Sequence, residues 1–303
     1  MHYYDYVPHR FSAASVLLIN EADEIIREYQ DQGYDLTLRQ LYYQFVARDV
    51  IPNSQKSYKR LGSIVNDARL AGMLPWDAIV DRTRQVQMNS HWNTPGDIIS
   101  SAAESFQIDL RADQPNYVEV WVEKEALAGI VGGAGEELDV PYFSCRGYVS
   151  ASAMWRASHR FLRAQRDGRE LHILHLGDHD PSGIDMTRDI RDRLRIFNAH
   201  VNVQRIALNM DQVQQYGPPP NPAKLTDSRA SDYIAQYGYD SWELDALDPS
   251  ILDDLIHDHV DELTDAMRLH AAQARQRRYK NLLRQASDRW DEVVDFLRSN
   301  DDE

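Results

Sequence analysis

The sequence predicts an α/β protein of more than one domain, with a helical N-terminal domain ahead of a mainly parallel sheet. Three observations support this. The chain has 303 residues, whereas a single domain usually takes roughly 100 to 200. Apolar residues recur at helical spacing from Phe11 to Leu70. From Tyr117 to about Met210, strand and helix patterns alternate, which is typical of a parallel sheet with helices on both faces.

Composition places the chain among packed globular proteins. Hydrophobic residues make up 43% and charged residues 27% of the chain, which excludes a disordered or collagen-like protein. No apolar run approaches the roughly 18 residues of a membrane span. The N-terminal segment MHYYDYVPHRF lacks the basic start and apolar run of a secretory signal. We therefore expect a cytoplasmic protein with no membrane partner. Cys145 is the one cysteine, which excludes an internal disulfide and a CxxC pair.

Charge is unevenly distributed along the chain. The formal net charge of −15 argues at first against a nucleic-acid partner, because phosphate binding needs basic surface. However, residues 37–90 hold eight Lys and Arg against four Asp, and residues 266–287 hold six Lys and Arg with no acidic residue. Because of these two basic segments, the negative net charge does not exclude a nucleic-acid partner.

Three helices are predicted before the first strand. The first covers Phe11–Gln30, and the second begins at Thr37 with a Thr-x-x-Gln capping box that ends at Gln40. The third covers residues 54–70. A tight turn between the second and third helices, followed by a β-prone strip over 76–84, indicates a helix-turn-helix with a wing. Any three-helix subdomain gives a similar pattern, so a plain helical unit is the alternative.

The third helix carries the candidate DNA contacts. Lys56, Lys59 and Arg60 lie at its outward positions, where we expect them to contact the groove or the phosphate backbone. A solvated helix face is the alternative. We therefore predict a winged-helix DNA-binding domain over 1–90 and a linker with one short helix over 91–115.

Seven elements alternate in the second half of the chain. Strands are predicted over 117–122, 140–145, 171–176 and 201–208, and helices over 124–135, 150–165 and 182–197. A Pro-rich loop and further helices follow Met210. In parallel sheets of this kind, ligands bind beyond the carboxyl ends of the strands.

Three carboxylates fall where predicted strands end. Glu123 follows the first strand, and Asp178 and Asp180 follow the third within GDHDPSG. Hard oxygen ligands in an Asp-x-Asp pattern, with Gly and Pro turning the backbone, suit Mg²⁺. The alternative is that Asp178 and Asp180 are turn residues and that Glu123 is a neighbour of the N-terminal cap of the following helix. His179 is predicted to be a loop residue, because Mg²⁺ prefers oxygen ligands.

Two motifs resemble a known family. WVEKEAL and, about fifty residues later, HLGDHDPSGIDM resemble the Toprim domain, and most closely that of the topoisomerase VI A subunit and its meiotic double-strand-break relative. That family has Glu-Lys after one strand and Gly-Asp-x-Asp-Pro-x-Gly after a later one, as at Glu123-Lys124 and Gly177–Gly183. Its catalytic tyrosine stands in the pattern Arg-x-x-(Tyr or Phe)-Tyr, matched by Arg39 to Tyr43 within LTLRQLYYQF. The segment ELDAL, residues 243–247, is similar to an acidic-Ala-Leu element of the family.

The resemblance implies a fold and a chemistry. Residues 116–303 are expected to form a Toprim metal-binding domain with a helical C-terminal extension. Tyr43 is expected to attack a DNA phosphodiester and form a 5′-phosphotyrosyl link, as in a type IIB topoisomerase. Asp178 and Asp180 are the expected Mg²⁺ ligands, and Glu123 is a further ligand or the general acid for the leaving 3′ oxygen. Arg39, one helical turn before Tyr43, shares its face and is placed to hold the scissile phosphate.

Two further cations are weaker candidates. Lys124 and Arg146 lie at predicted strand ends. The two alternatives for them are contact with DNA phosphate and a solvated surface charge.

The resemblance also implies partners. These are double-stranded DNA, a second copy of the chain whose metal site meets each Tyr43, and a separate ATPase subunit of the B type, because this chain has no Walker loop. Nucleoid association follows from DNA binding. Only 42 residues precede Tyr43, so we expect a minimal form of the family. The alternatives are a hydrolytic Toprim nuclease that needs no tyrosine and a non-catalytic DNA-binding protein.

Overall fold

The computed structural model describes residues 3–80 and 89–300, and this part of the chain is an α/β structure with twelve α-helices and a four-stranded parallel sheet. The predicted α/β class is therefore confirmed. None of the helices in these two ranges has both the length and the apolar character needed to cross a bilayer.

Three helices form the N-terminal part of the fold: α1 (Ala13–Asp31), α2 (Leu38–Ala47) and α3 (Gln55–Leu70). All three were predicted. The predicted capping box is present at the start of α2, where the Gln40 backbone N–H donates to Thr37 Oγ1 over 3.3 Å and the Thr37 N–H donates to Gln40 Oε1 over 2.9 Å. The apolar faces of the three helices meet in one buried cluster that includes Leu41 and Phe45.

The strip predicted to be β-prone is only partly described. Residues 76–80 form no strand, and Ile79 makes a single β-bridge with Leu36. The Arg69 guanidinium donates to the carbonyls of Trp76 and Ile79 over 2.6 and 3.3 Å, which fixes this segment as a loop. Residues 81–84 lie outside the described residues, so the wing stays a prediction.

The segment predicted as a linker contains one helix, α4 (Pro95–Ser105), which packs along the C-terminal part of the chain. Its partner is α11 (Ala266–Asp288), which is followed by α12 (Trp290–Asn300). Lys280 Nζ donates to the Glu104 carbonyl and Ser287 Oγ to the Gly96 carbonyl, over 3.0 and 3.2 Å. The short helix is therefore held against the helical C-terminal extension.

The sheet has four strands: β1 (Asn116–Val122), β2 (Tyr142–Ser144), β3 (Glu170–Leu176) and β4 (Asn202–Ala207). Their order is β2-β1-β3-β4, and every pair is parallel. The connecting helices are α5 (Ala128–Leu138), α6 (Ala151–Arg166) and α7 (Pro181–Ile196). All seven elements correspond to predicted ones. Val122 pairs with both Ser144 and Leu176, so three strands end at one edge.

Both faces of the sheet are covered, because alternate strand residues point to opposite sides. Val118, Val120 and Val122 pack with α5 and with α10 (Pro249–Glu262). Trp121 and Ile173 pack with α6 and α7. The remaining elements are α8 (Met210–Tyr216), α9 (Ala230–Tyr237), the short strands β5 (Asn221–Pro222) and β6 (Asp240–Ser241), and 3-10 turns at Glu125–Leu127 and Leu244–Ala246.

The N-terminal helices are attached to the segment that leads from the sheet edge into α10. Ala246 is buried in the N-terminal apolar cluster, and Tyr29 Oη donates to Asp248 Oδ2 over 2.7 Å. Asp248 Oδ1 accepts from the Ser250 N–H at the start of α10 over 2.9 Å. One aspartate therefore caps α10 and holds α1.

We expect Tyr29→Phe to lower the free energy of unfolding by about 1.5 to 3 kcal/mol, the usual contribution of a hydrogen bond to a charged group. Urea denaturation followed by circular dichroism measures this loss. The control is Tyr239→Phe, which changes a side chain that is 71% exposed. Equal losses for the two variants would contradict a role for the Tyr29–Asp248 bond.

Candidate metal centre and the neighbouring tyrosine

The candidate site lies where the strand order reverses. The strand that follows β1 in the chain is placed on one side of the β1–β3 pair, and the strand that follows β3 is placed on the other. Helices diverge at such a point and leave a crevice beyond the carboxyl ends of the strands. Glu123 follows β1 there, and Gly177 to Asp180 follow β3.

Three carboxylates meet in this crevice. Asp178, Glu243 and Asp245 each offer one oxygen, and these oxygens lie within 4.8 Å of one another. Asp178 and Asp245 are buried. A buried group of hard oxygen ligands at this spacing can hold a metal ion.

Backbone pairing brings these carboxylates together across a long stretch of sequence. The His179 N–H donates to the Trp242 carbonyl over 2.8 Å, and the Trp242 N–H donates back over 3.0 Å. Leu244 N–H donates to Asp178 Oδ1 over 2.8 Å. Glu243, which caps the 3-10 turn, and Asp245, which lies in it, are therefore fixed beside the end of β3.

The Lys124 ammonium lies inside the carboxylate group. Its Nζ is 2.9 Å from Asp178 Oδ1 and 2.8 Å from Asp245 Oδ1, and it also contacts Glu243 Oε2. Burial disfavours the charged form, but the three carboxylates raise the pKa of Lys124 above its ordinary value. Lys124 was predicted to contact DNA, and the structure places it here among the acidic groups. That DNA contact stays a prediction.

Arg39 adds a second cation from the N-terminal helices. Its Nη2 is 2.9 Å from Glu243 Oε2, and its Nε is 2.8 Å from Asp245 Oδ2. The carboxylates raise the pKa of Arg39 despite the opposing effect of burial. Two cations from different parts of the chain thus neutralise most of the charge of two buried carboxylates and the half-buried Glu243.

The two other predicted ligands, Glu123 and Asp180, lie beside this group and bind backbone. Glu123 Oε2 accepts from the Asp178 N–H over 2.9 Å. Asp180 Oδ1 accepts from the Gly183 N–H over 2.6 Å and caps α7. Burial raises the pKa of Glu123, and the charge of Asp180 adds to this shift. Of the three predicted ligands, Asp178 lies in the carboxylate group, and metal binding by the other two stays a prediction.

The second glycine of GDHDPSG, Gly183, is required by close packing. A Cβ on Gly183 would lie 2.2 Å from the Asp178 carbonyl oxygen and 3.0 Å from Glu123 Oε2. No side chain fits at that distance from a backbone oxygen, so this position needs glycine.

Arg205 on β4 fixes the same loop by hydrogen bonds to its backbone. Its guanidinium donates to the carbonyls of Gly177, Asp178 and Gly183 over 2.7, 2.5 and 2.9 Å. Burial lowers the pKa of Arg205 to about 10, which leaves it charged at neutral pH. Arg205 was not among the predicted site residues, although a half-buried arginine next to Ile206 and Ala207 in a predicted strand was a usable signal.

His179 occupies an aromatic enclosure instead of the metal cluster. It is buried, its Nδ1 lies 2.8 Å from Tyr233 Oη, and the rings of Tyr237 and Trp242 pack against it. Burial lowers the pKa of His179 to about 4, so the ring is neutral. This agrees with its predicted role as a loop residue.

Tyr43 lies next to the second cation. Its side chain is 4% exposed, and its hydroxyl is 3.5 Å from Arg39 Nη2. Burial, followed by the charges of Glu243 and Asp245, raises the pKa of Tyr43. A cavity of about 270 Å³ opens beside it, lined by Arg39, Tyr42, Tyr43, Asn53, Ser54, Gln55 and Tyr58.

The remaining predicted DNA contacts lie on the surface. Lys56, Lys59 and Arg60 are exposed on α3, whose first residue lines the cavity beside Tyr43. Arg146 is exposed and pairs with Glu125 over 2.7 Å. Contact with DNA by these four residues is not tested by this geometry and stays a prediction.

No protein-family model matches the chain, and no curated protein is significantly similar to it.

Metal affinity is expected to depend on pH near neutrality. Burial raises the pKa of Asp178 to about 7 against the opposing charge of Lys124. A carboxylate must lose its proton to bind metal, so affinity for Mn²⁺ should fall by up to about tenfold per pH unit below pH 7 and level off above about pH 8. Calorimetric titration across this range measures the effect. A constant affinity would contradict ligation by Asp178.

Removal of Lys124 should make the carboxylates a stronger metal site. In Lys124→Met, the cation that competes for the three carboxylates is lost, so we expect Mn²⁺ affinity to rise about tenfold or more, equivalent to about 1.4 kcal/mol. The melting temperature of the metal-free variant should fall, because buried carboxylates lose a partner, and Mn²⁺ should restore it. Lys56→Met, on the exposed face of α3, is the control. Unchanged affinity in Lys124→Met would contradict binding at this position.

Proposed function

We propose that the protein cleaves double-stranded DNA by Mg²⁺-dependent transesterification, with Tyr43 as the nucleophile. One observation carries the proposal: Arg39 Nη2 lies 3.5 Å from the Tyr43 hydroxyl and 2.9 Å from Glu243 Oε2. The Tyr43 phenol, the Arg39 guanidinium and the Glu243 carboxylate are therefore neighbours in space, in that order. In the proposed reaction the guanidinium would bind phosphate and the carboxylate would bind metal. The resemblance of Arg39–Tyr43, Glu123-Lys124 and Gly177–Gly183 to the topoisomerase VI A subunit supports the same chemistry.

We also propose the domain architecture that this resemblance implies. The three N-terminal helices would be the core of a winged-helix domain, and the parallel sheet with its strand-end carboxylates would be a Toprim domain. The sheet order and the position of the acidic residues at its carboxyl edge support this assignment.

The proposed step exchanges one phosphoester for another. Tyr43 Oη forms a bond to the phosphorus of a backbone phosphodiester, and the bond from phosphorus to the 3′ oxygen breaks. The phenol loses its proton and the 3′ oxygen gains one, so the products are a 5′-phosphotyrosyl link and a free 3′ hydroxyl. No water or nucleotide is consumed. The bond energy is retained in the protein–DNA link, which makes resealing possible.

The step needs stabilisation of the charge on the attacking oxygen and a proton for the leaving oxygen. Residues near Tyr43 are placed to supply both. A phenol has an ordinary pKa near 10, and the pKa of Tyr43 is raised further, so charge on the attacking oxygen must be stabilised as it develops. Arg39 is placed to do this and to bind the phosphate. Glu123, whose pKa burial raises, suits the general acid that protonates the leaving oxygen.

The carboxylate group fits a hard divalent cation. Asp178, Glu243 and Asp245 would hold Mg²⁺, and Lys124 would give up its place between them. When bound, the ion supplies Lewis-acid stabilisation of charge on the phosphoryl oxygens. Glu123 and Asp180 flank this position and remain the alternative ligands.

The proposed partners follow from the reaction. Lys56, Lys59 and Arg60 are exposed on α3, where they would contact the DNA backbone beside the cavity at Tyr43. Cleavage of both strands needs two tyrosines, which supports a homodimer. A separate ATPase subunit of the B type would be required if cleavage is coupled to strand passage.

A hydrolytic nuclease is the second candidate function. The burial and raised pKa of Tyr43 favour it, because water would then attack the phosphodiester at the same carboxylates and no phenolate would be needed.

The test is incubation of supercoiled plasmid with the protein and Mg²⁺, quenched with denaturant and analysed with and without protease. We expect cleaved DNA that stays linked to protein until protease treatment. Tyr43→Phe should abolish it, whereas Tyr42→Phe, the equally buried neighbour, should retain it. Free cleaved DNA in both variants would indicate the hydrolytic nuclease. Intact plasmid under all conditions, despite DNA binding, would indicate a binding protein.

A further inference from the structure

We propose that α11 carries a second DNA-contacting surface, formed by Arg277, Arg278 and Arg284, which binds the phosphate backbone of duplex DNA. We call these three side chains the α11 arginines. They belong neither to the carboxylate group at the sheet edge nor to the cavity beside Tyr43. The identity of the partner as DNA rests on the proposed function, whereas the surface itself rests on the charges and contacts of α11.

The charge of α11 differs from that of the whole chain. Acidic residues outnumber basic ones by 48 to 33 in the sequence, yet residues 266–287 hold six Lys and Arg and no acidic residue. Asp265 and Asp288 lie only at the two ends of the helix. A solvated helix usually carries charges of both signs, so a long helix that excludes carboxylates between its ends favours an anionic partner.

One face of α11 holds α4 and the segment that follows it. Gln276 Oε1 accepts from the Ile108 N–H over 2.9 Å, and Lys280 Nζ donates to the Glu104 carbonyl over 3.0 Å. This packing accounts for one of the six cations, because the Lys280 ammonium already has a structural contact.

Two more cations are paired within the chain. Arg268 Nε lies 3.3 Å from Asp265 Oδ2, and Arg275 Nη2 lies 3.5 Å from Asp113 Oδ2. Arg268 also donates to the Asp113 carbonyl over 2.6 Å. These contacts join the first half of α11 to the segment before β1, and they leave three arginines to be explained.

The α11 arginines have no such pairing. All three residues are exposed. Within residues 3–80 and 89–300, no carboxylate oxygen lies within 4.0 Å of their guanidinium nitrogens. Arg278 contacts the Tyr279 ring, with its Cζ 5.6 Å from the ring centre, and this contact uses no N–H donor. Their hydrogen-bond donors are therefore available to a partner in solution.

The spacing of these arginines suits a nucleic-acid backbone. Arg277 and Arg284 are seven residues apart and share one side of the helix, with Asn281 between them. The helix rise separates them by about 10 Å, or about three nucleotides of one strand at roughly 3.4 Å each. They can therefore reach separate phosphates. Guanidinium groups bind phosphate through paired donors, and an amide such as that of Asn281 is a common neutral contact.

The first test is the salt dependence of DNA binding by Arg277→Gln, Arg278→Gln, Arg284→Gln combined in the full chain. Glutamine keeps the helix propensity close to that of arginine. Fluorescence anisotropy with a labelled duplex in EDTA measures Kd over a range of salt concentrations. We expect the slope of log Kd against log salt to fall by about 2 to 3, and affinity at about 0.1 M salt to fall at least about tenfold, because three phosphate contacts are lost.

The matched control is a second triple variant with the same change in net charge. Arg27→Gln, Arg166→Gln and Arg188→Gln alter exposed residues of α1, α6 and α7, and circular dichroism checks that both variants fold. We expect the control to bind with nearly the wild-type slope. Equal losses in the two variants would show an effect of net charge alone and overturn the proposal. Wild-type binding by the α11 variant would also overturn it and would indicate an acidic protein as the partner of this face.

The second test locates the DNA directly. In a Cys145→Ala background, which removes the one native thiol, an iron–EDTA group is attached to Asn281→Cys on the outward side of α11. Radicals from the iron break DNA that lies close to it. We expect strand breaks in a bound duplex with this chain and none with Gln165→Cys, an exposed position on α6. Equal cleavage from both positions, or none from Asn281→Cys despite binding, would contradict the proposal.

The outcomes separate this proposal from the proposed function. Both tests use a Tyr43→Phe chain, so the reaction is not needed for either readout. If α11 contacts DNA but wild type forms no protein-linked DNA with Mg²⁺, the proposed cleavage fails and the surface stands. If wild type forms the link and the α11 variant binds like wild type at every salt concentration, the surface fails and the cleavage stands. Absence of any DNA binding would overturn both.

Discussion

The rest of the site depends on the ion pairs that the Lys124 ammonium makes with three carboxylates. This ammonium lies between Asp178 and Asp245, both buried, and it contacts Glu243. Without it, Asp178, Glu243 and Asp245 would repel one another with Arg39 as the remaining cation beside them, and two of the three carboxylates are buried. Because Lys124 follows β1, Asp178 follows β3, and the other two acids lie on the turn before α10, this one charge connects the sheet edge to the C-terminal half of the fold.

Other residues around Lys124 fix the backbone of the neighbouring loop and helices. Arg205 binds the carbonyls of the GDHDPSG loop, and Gly183 permits the close approach of α7 to the Asp178 carbonyl. Arg39 extends the same ionic group to α2 and so to Tyr43. The tyrosine is thereby oriented by the groups that assemble the carboxylates. The contact between the N-terminal helices and the sheet edge therefore depends on the same ion pairs that place the groups proposed to react.

Local signals predicted most of the secondary structure. The capping box at Thr37 and the apolar periodicity of the helices act over a few residues, and so does the β-rich pattern of each strand, which is why sequence reasoning found them. Glu123 and Asp178 were identified because parallel strands must end at a common edge. Glu243 and Asp245 were not assigned to the site, since they reach it only through the backbone pairing of Trp242 with His179. Arg205 was missed for a similar reason: its role depends on carbonyls that belong to two other elements.

The most direct test of the account is a crystal structure of the protein with Mn²⁺ in place of Mg²⁺, located by its anomalous scattering. We expect one strong peak within about 2.0 to 2.3 Å of oxygens of Asp178, Glu243 and Asp245, with Lys124 Nζ moved out of the carboxylate group. A peak between Glu123 and Asp180 with Lys124 still in place, or no peak at the sheet edge, would contradict it.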